Sequence, residues 1–466
     1  MLSEDVLYLP VAELAKKIRA REVSPVELAE SYLARLERLG PKLNAVATLT
    51  RERGLEEARA AEREIAAGYY RGPLHGIPYG GKDLLATRGI PTTWGAPPYR
   101  NQVFDYDATV IERLRAAGAV LIAKLAMVEL AGSGGYRYAS ASATGPGLNP
   151  WNTGTWSGGS SSGSGAATAA ALVAFAIGSE TWGSILTPSS FCGVTGLRPS
   201  YGRVSRYGAM AVSWTLDKLG PMCRAVDDCG LVLAALAGYD PNDASTLPGS
   251  FTDEPLRGDL RHTRIGVVPE DFAKNAEPEV ERAFNAALEV LGGFGAELEP
   301  APLPAFPYAP VAETVIAAEA AAFFEELIQT GKVGELVDVA QQAGIEAGAQ
   351  VKAVDYLKAM QLRTLLQAEF ARLFEKFEVL VAPSLLFVAS PIEADLNTVF
   401  KGSSGIGAAG NLLGLPAISV PCGFGKNNLP AGLSVVGKPL DEAAVLRVAR
   451  AYQQATNWHT RRPPIA

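Results

Sequence analysis

The chain carries SGGSSSGSG at residues 157–165 and, after one apolar run, GSETWGSILTP at residues 178–188. Loops with so few bulky side chains let the backbone approach a bound group closely. Their N–H groups can then be directed at a developing oxyanion, which acyl-transfer chemistry requires. The alternative is a flexible linker, but the first loop leads directly into AATAAALVAFAI at residues 166–177, an Ala-rich run that predicts a helix inside a core. We therefore interpret both loops as parts of a folded site.

The composition is that of a large globular protein. The chain has 466 residues, of which 48% are hydrophobic and 20% are charged, enough apolar content for a large core. Its net charge is −7, and no Lys/Arg block is interleaved with aromatic residues, so the electrostatic footprint of a nucleic-acid binder is missing. We expect a small-molecule substrate and no nucleic-acid partner.

The sequence predicts neither a membrane segment nor export. The apolar run at residues 166–177 is 12 residues long, which is too short to span a bilayer. MLSEDVLYLP at residues 1–10 lacks the basic start and the apolar stretch of a signal peptide. The expectation is a soluble, cytoplasmic protein with no membrane partner.

The cysteines and histidines show no pattern typical of a metal site. The four cysteines have no CxxC spacing, so buried reduced thiols are the favoured interpretation. The three histidines lie outside any HExxH motif, although a Ser-His-Asp triad built from distant segments stays open. We expect no metal and no cofactor. The residues concerned are Cys192, Cys223, Cys229, Cys422, His75, His262 and His459.

Helical and strand patterns alternate along the chain. SPVE at residues 24–27 has the pattern of a capped helix start, and a second helix at residues 107–117 precedes a predicted buried strand at 119–123. Strands separated by helices predict an α/β fold with a large mixed, mostly parallel central sheet covered by helices on both faces. Further strands are predicted at residues 264–269, 379–383, 417–421 and 432–437.

We expect one domain over residues 1–466, because the glycine-rich loops do not separate two folded units. The stretch at residues 278–377 is predominantly helical in pattern, and it follows a polar stretch rich in Asp, Pro and Gly at 241–261. We interpret residues 241–377, approximately, as a mainly helical elaboration of the domain that helps to shape the substrate pocket.

Three positions carry candidate chemistry. GIPYGGKD at residues 76–83 delivers Lys82 after six uncharged residues, so we expect this lysine to end a buried strand. Desolvation there lowers the pKa of the amine below its usual value of about 10.4, and a neutral lysine is a competent general base. Ser160 has the alternative role of capping the following helix, and Ser184 follows a glycine turn in which single serines are more often structural.

Together these segments resemble the amidase signature family of serine hydrolases. That family combines a GGSSGG loop, a G-[ST]-D-x-G-G-S-I-R segment about twenty residues later and a Lys-Asp pair far upstream. The present chain has the three segments in the same order, and the resemblance covers nearly its whole length. Further motifs typical of the family are NPW at 149–151, FCGVTGLRP at 191–199, YGRVS at 201–205, DKLGPM at 217–222 and GLPAISVP at 414–421.

The resemblance implies the amidase signature fold and a Ser-Ser-Lys triad. It assigns Ser184 as the nucleophile, Ser160, preceded by a cis peptide, as the bridging serine, and Lys82 as the base, with Ser161 helping to hold the lysine. The carbonyl carbon of the substrate would become an ester of Ser184, which water hydrolyses. The implied oxyanion hole consists of the backbone N–H groups of Thr181, Trp182, Gly183 and Ser184.

Three residues depart from the family pattern. Glu180 replaces an Asp and is expected to support the active-site turn. Trp182 replaces a Gly, so the amides of the turn remain usable only if the backbone conformation is allowed for a residue with a Cβ. Leu186 replaces an Arg, and an apolar side chain near the nucleophile favours an uncharged substrate. We expect Trp182 and Leu186 to contact that substrate.

The favoured function is an amidase that cleaves a C–N bond of a neutral amide, anilide or carbamate (urethane), and esters fit the same chemistry. One alternative is the glutaminase subunit of a tRNA-dependent amidotransferase, in which Arg363 would meet the carboxylate of glutamine. Against it, residues 396–440 contain no Asp or Glu to bind the ammonium group. A catalytically silent binding protein of the same fold is the non-enzymatic alternative. Both a monomer and a homodimer fit the sequence.

Overall fold

A large mixed sheet forms the centre of the computed structural model, which describes residues 1–254, 259–269, 276–400 and 405–465. Eleven strands follow the order β1-β3-β2-β6-β8-β7-β12-β13-β11-β9-β10, and β4 and β5 form a separate pair. The strands are β1 Val46–Leu49, β2 Pro78–Lys82, β3 Val120–Leu125, β4 Leu148–Asn149, β5 Asn152–Trp156, β6 Phe175–Glu180, β7 Thr195–Arg198, β8 Lys218–Cys223, β9 Arg264–Val267, β10 Glu297–Pro300, β11 Val379–Pro383, β12 Ala417–Phe424 and β13 Pro430–Gly437.

Helices pack on this sheet, and among them α6 and α7 follow the two glycine-rich loops. The predicted capped start is confirmed, because Ser24 accepts hydrogen bonds from the amides of Val26 and Glu27 at the beginning of α3. The helices are α1 Glu4–Leu7, α2 Val11–Arg19, α3 Pro25–Leu43, α4 Arg51–Ala66, α5 Thr109–Ala116, α6 Ser162–Ala169, α7 Leu186–Cys192, α8 Val226–Leu236, α9 Pro278–Gly293, α10 Tyr308–Phe323, α11 Glu325–Gln329, α12 Val339–Gly348, α13 Ala353–Lys376, α14 Leu396–Val399, α15 Gly405–Leu412 and α16 Glu442–Ala455.

The predicted large mixed α/β sheet is confirmed, but its centre is more antiparallel than the sequence indicated. Strands β3, β2 and β6 are parallel, and so are β11, β9 and β10. From β6 through β8, β7, β12 and β13 to β11, every neighbouring pair is antiparallel. For the β12–β13 pair the physical reason is the short connecting turn, because so few residues cannot form the crossover that parallel strands need.

The apolar run at residues 166–177 is buried as predicted, but it is not one helix. Helix α6 ends at Ala169, Ala171 has a φ of 49°, and strand β6 begins at Phe175. The ring of Phe175 stacks on Tyr79 of β2 with their centroids 5.2 Å apart. Cross-strand packing therefore overrides the helical propensity of the alanines in the second half of the run. The chain reverses direction at this split, so the two glycine-rich loops lie side by side, and the amide of Ser161 donates to the carbonyl of Ser184 at 3.3 Å.

Residues 278–377 are predominantly helical, as predicted, with α9 to α13 and one strand, β10, at the sheet edge. Within the predicted elaboration, residues 255–258 and 270–275 lie outside the described residues. Helix α10 packs on α12, on α13 and on α15. A single domain over residues 1–466 remains our prediction. In the described part of the chain, no helix is long and apolar enough to cross a membrane.

Candidate active site

Lys82 lies at the end of β2, where the sequence predicts it. The strand lies between β3 and β6, all five of its residues are buried, and the Lys82 side chain is 0% exposed. The amine Nζ donates hydrogen bonds to Ser160 Oγ at 2.8 Å and to Ser179 Oγ at 2.9 Å. No carboxylate among the described residues lies within ion-pairing distance of this amine. Lys82 is thus a buried amine held by hydroxyl groups.

Burial lowers the pKa of Lys82 to about 7, and the negative charges of Asp217 and Glu180 oppose that effect. Removing an ammonium group from water disfavours its charged form, and the hydroxyl partners carry no compensating charge. The predicted downward change in the Lys82 pKa is therefore confirmed. Near neutral pH, a substantial fraction of Lys82 is a free amine that can accept a proton.

The adjacent Asp83 is neutralised by a different lysine. Its carboxylate lies 3.0 Å from Lys124 Nζ, and both side chains are fully buried. The other carboxylate oxygen, Oδ2, accepts hydrogen bonds from the amide and the hydroxyl of Thr93. Because Asp83 pairs with Lys124, this sequence neighbour does not hold the proton on Lys82.

Ser160 and Ser161 do not cap the helix that follows them. The peptide bond between Gly159 and Ser160 is cis, as the family resemblance implies. Ser161 occupies the N-cap position of α6 without a capping hydrogen bond from its side chain. Its hydroxyl donates to the carbonyl of Ser179 and accepts from the amide of Ser179, at 3.2 and 3.3 Å. Ser161 therefore reaches Lys82 only through Ser179.

Ser184 lies in the turn between β6 and α7, close to the Ser160–Lys82 pair. Its side chain is 8% exposed, and its carbonyl accepts a hydrogen bond from the amide of Ser161 at 3.3 Å. The described residues offer no hydrogen-bond partner to Ser184 Oγ, so the two serine hydroxyls are not yet linked. In the absence of substrate, catalytic hydrogen bonds are often long or poorly aligned.

The backbone conformation of the turn is allowed for Trp182, although this residue has a Cβ. Gly183 has a φ of 84°, whereas Trp182 is not among the residues with positive φ. The left-handed position therefore falls on a glycine, which adopts it without strain, and the bulky residue keeps an ordinary conformation. Within the described structure, no protein acceptor receives a hydrogen bond from the four predicted oxyanion-hole amides. These amides belong to Thr181, Trp182, Gly183 and Ser184.

The carboxylate of Glu180 holds this turn in place. One carboxylate oxygen accepts hydrogen bonds from the amides of Ile185 and Leu186 at 2.8 and 3.0 Å, and the other lies 2.7 Å from Nη1 of Arg198. Burial raises the pKa of Glu180, but Arg198 and then Lys218 lower it further, so that it ends at about 2. The carboxylate is ionised and ties the start of α7 to β7.

We expect Glu180→Gln to destabilise the fold by about 3 kcal/mol, because it leaves the guanidinium of Arg198 buried without its counter-charge. Urea and thermal unfolding at pH 7 measure this change. Glu13→Gln is the matched control, since Glu13 pairs with Lys16 on the surface, where removing one partner costs less than about 1 kcal/mol. Equal stability of the two variants would contradict a structural role for Glu180.

Leu186 and Trp182 belong to one apolar cluster beside the nucleophile. Leu186 is buried in this cluster, and Trp182 packs against it while remaining partly exposed. Helices α10, α13 and α15 supply much of the rest of the cluster. The other partly buried side chains on it are Leu303, Phe306, Tyr308, Ile316, Tyr356, Met360, Leu362 and Leu373. This cluster forms an apolar wall that reaches the nucleophile turn through Trp182 and Leu186.

Two residues at the site were not singled out by the sequence. Ser179 contributes a hydroxyl to Lys82, and Asp217 accepts a hydrogen bond from the hydroxyl of Thr181. Asp217 lies in the family motif DKLGPM, which marks its segment without indicating its partner. Ser179 precedes Glu180 in the second loop, and only the position of β6 beside β2 brings it to the lysine.

The histidines and cysteines lie elsewhere. The ring of His75 accepts a hydrogen bond from the amide of Arg71 and lies 3.0 Å from Glu64, so it does not serve the serines. All four cysteines are buried, as predicted. Among the described residues, no cluster of His, Cys, Asp or Glu could hold a metal ion. The distant-segment Ser-His-Asp alternative has no support in this geometry.

Similarity to known proteins agrees with the geometry of the site. The A subunit of glutamyl-tRNA(Gln) amidotransferase from Chloroflexus aggregans is 39% identical over 98% of this chain and 99% of its own length. A peptide amidase from Stenotrophomonas maltophilia has a TM-score of 0.85 and 31% identity, with 98% of each chain covered. The A subunit from Thermotoga maritima has a TM-score of 0.83 and 28% identity over the full length of both chains. Residues 27–446 match the Amidase family, and the chain therefore belongs to that family of amidase signature enzymes.

Proposed function

We propose that this protein hydrolyses a C–N bond of a neutral amide, anilide or carbamate through an acyl-enzyme on Ser184. The observation that carries the proposal is the arrangement of Lys82, a buried amine with a pKa of about 7, whose Nζ lies 2.8 Å from Ser160 Oγ beneath the turn that presents Ser184. A base with a pKa near the working pH is well suited to proton transfer.

The first chemical step moves two protons and forms one bond. Neutral Lys82 takes the proton of Ser160 Oγ while Ser160 takes the proton of Ser184 Oγ, and Ser184 Oγ attacks the carbonyl carbon of the substrate. The contact between Ser160 and Ser184 forms when the bound substrate draws Ser184 into position. Negative charge then develops on the carbonyl oxygen, next to the free amides of the turn.

The second half of the cycle reverses the proton relay. Collapse of the tetrahedral intermediate breaks the C–N bond, and the proton held by Lys82 returns through Ser160 to the leaving amine. Water then attacks the ester of Ser184 by the same relay and releases the acid. Each amide that donates to the oxyanion is worth roughly 3 kcal/mol of barrier reduction.

The apolar wall supports an uncharged substrate. Leu186 and the partly buried rings of Trp182, Phe306 and Tyr308 belong to one cluster, and an apolar surface of this kind stabilises aliphatic and aromatic groups by burial. The same surface penalises an unpaired charge. An aryl or alkyl amide, anilide or carbamate matches it.

The glutaminase subunit of a tRNA-dependent amidotransferase is the second candidate, and sequence similarity favours it over the first. Curated relatives of this chain include the A subunit from Chloroflexus aggregans and the A subunit from Methylococcus capsulatus, which is 40% identical over 97% of this chain. In such a role, the site would have to bind the carboxylate and the ammonium group of glutamine. Arg363 is the sequence-predicted partner of the carboxylate.

Arg363 keeps a donor for the carboxylate of glutamine, since its Nε has no partner among the described residues, but the acid beside it offers no place for the ammonium group. Its guanidinium donates to the carbonyl of Thr215 at 3.1 Å. The nearby carboxylate of Glu319 already accepts from the amide and hydroxyl of Thr215 and from the hydroxyls of Ser213 and Tyr356. It has no lone pair left for an ammonium group. The C-terminal segment at residues 396–440 contains no Asp or Glu that could bind the ammonium group instead. Within it, residues 401–404 lie outside the described residues.

A burst experiment and a substrate panel test these candidates. Mixing the enzyme with a nitrophenyl ester should release one equivalent of nitrophenol rapidly, followed by slower turnover, whereas a silent binding protein gives no burst. The panel contains an anilide, a primary amide, a dipeptide amide, a carbamate and glutamine. We expect kcat/KM for the best neutral substrate to exceed that for glutamine by at least about a hundredfold. Faster hydrolysis of glutamine would replace the first candidate with the second.

A further inference from the structure

Asp217, which takes no direct part in the proposed chemical steps, joins two parts of the site. It lies just before β8, its side chain is buried, and its Oδ1 accepts the hydroxyl of Thr181, the first residue of the oxyanion turn. Its Oδ2 accepts the amides of Val212 and Ser213 at 2.7 and 3.0 Å. One carboxylate therefore holds the turn and a second segment together.

On its other side, that second segment, residues 212–215, is hydrogen-bonded to two helices of the helical elaboration. Glu319 of α10 accepts hydrogen bonds from Ser213 and Thr215, and Arg363 of α13 donates to the carbonyl of Thr215. The segment is thus fixed between the helices that carry the apolar wall and the turn that carries the amides. Asp217 is the link on the side of the turn.

A cavity of about 270 Å³ lies against the same elements. Its lining includes Val212 and Trp214 of the segment, Met210 just before it, and Ser179, Thr181 and Asp217 of the site. Because open space adjoins Thr181, packing on that side alone does not immobilise it. The hydrogen bond to Asp217 is the contact that fixes the side chain of Thr181.

We propose that Asp217 is a positioning residue that acts through Thr181 to hold the oxyanion turn in register with residues 212–215. This inference rests on the proposed function, since the turn must be an oxyanion hole for its position to matter. Donors aimed at the developing charge work only if they are held in place before the reaction. A misplacement of about 1 Å is enough to lower the rate about a hundredfold.

The charge of Asp217 has a second, separable effect. Burial raises the pKa of Asp217, and the hydrogen bonds from Thr181, Val212 and Ser213 act in the opposite direction by favouring its ionised form. Burial lowers the pKa of Lys82, and the charge of Asp217 is the larger of the two that raise it, ahead of Glu180. Removing the charge of Asp217 lowers the Lys82 pKa further, so the lysine loses its proton at a lower pH. Other charged groups around Asp217 and its neighbour Lys218 remain in place in such a variant. They are Glu180, Arg198, Arg206 and Arg363.

The test compares Asp217→Asn with Thr181→Val by steady-state kinetics across pH on the best neutral substrate. Both variants should lower kcat tenfold to a hundredfold, on the order expected for a displaced oxyanion turn. In Asp217→Asn the acid limb of kcat/KM should also move to lower pH by about one unit. In Thr181→Val the limb should stay where it is, because the charge of Asp217 remains.

Glu319→Gln is the matched control, because it neutralises a carboxylate on the far side of residues 212–215. Its acid limb should coincide with that of the wild type. Wild-type kcat in Thr181→Val, or an unmoved limb in Asp217→Asn, would overturn the proposal. Thr181→Val keeps the test decisive if Asp217→Asn does not fold. Failure of the proposed function itself would be seen separately, as the absence of an ester burst in the wild type.

Discussion

Ser184→Ala should lower kcat by about a millionfold and abolish the ester burst, because the acyl-enzyme can no longer form. In the proposed mechanism the proton relay ends at this hydroxyl, and the Ser184 side chain is 8% exposed. The measurement is single-turnover release of nitrophenol, with mass spectrometry to detect the covalent ester. We expect the mass increase in the wild type and none in the variant.

Ser164→Ala is the matched control for this result. Ser164 is a buried serine in α6 whose hydroxyl donates to the carbonyl of Ile177, so its loss removes a hydroxyl and one backbone hydrogen bond without touching the site. It should retain the burst. If Ser184→Ala kept even a hundredth of the wild-type turnover, Ser184 would not be the nucleophile.

Lys82→Met should abolish activity and increase stability at the same time. The base is lost, which lowers kcat by about ten-thousandfold. The wild-type amine is costly to bury, because its pKa of about 7 in the folded protein compares with about 10.5 in the unfolded chain. At pH 6 that difference corresponds to about 5 kcal/mol, of which lost hydrogen bonds to Ser160 and Ser179 offset part. We expect a net gain of about 2 kcal/mol.

The gain should depend on pH in a defined direction. Between pH 7 and pH 10.5 the unfolded chain binds a proton at Lys82 that the folded protein does not, so wild-type stability rises with pH across this range. Lys82→Met lacks that rise. The advantage of Lys82→Met, measured by urea unfolding, should therefore be largest below pH 7 and vanish near pH 8.5, about 1.5 pH units higher. At pH 10.5 the variant should be less stable than the wild type by about 3 kcal/mol, because only its lost hydrogen bonds then count. In kinetics, the same pKa places the acid limb of wild-type kcat/KM near pH 7.

Lys124→Met provides the contrast. Lys124 is also fully buried, but its amine lies 3.0 Å from Asp83, so its removal leaves a carboxylate buried without a partner. We expect this variant to lose about 3 kcal/mol or more. If Lys82→Met were destabilised as strongly as Lys124→Met, the Lys82 amine would be charged in the folded protein, and the proposed base would be wrong.

The sequence predicted the elements of the site because each rests on a local signal. The capped start at Ser24, the strand that ends in Lys82 and the two glycine-rich loops all follow from residue type and spacing. Burial of Lys82 followed from the six uncharged residues before it. The motifs around these segments then identified the family, and the family supplied the order of the triad.

Contacts between distant segments could not be predicted in the same way. Ser179 reaches Lys82 across 97 residues, and Asp217 reaches Thr181 across 36. These pairs depend on which strands become neighbours, and the antiparallel centre of the sheet was not visible in strand patterns alone. The split of residues 166–177 has the same cause, because packing of Phe175 on Tyr79 decides where α6 ends.

Gly183 takes the left-handed conformation of the turn and Trp182 does not, which affects how the substrate preference of this enzyme can change. The glycine alone meets the conformational demand of the turn, with its φ of 84°. The neighbouring position is therefore free to accept different side chains while the backbone donors stay in place. Substrate preference can drift at Trp182 during evolution, or be selected in the laboratory, without rebuilding the catalytic centre.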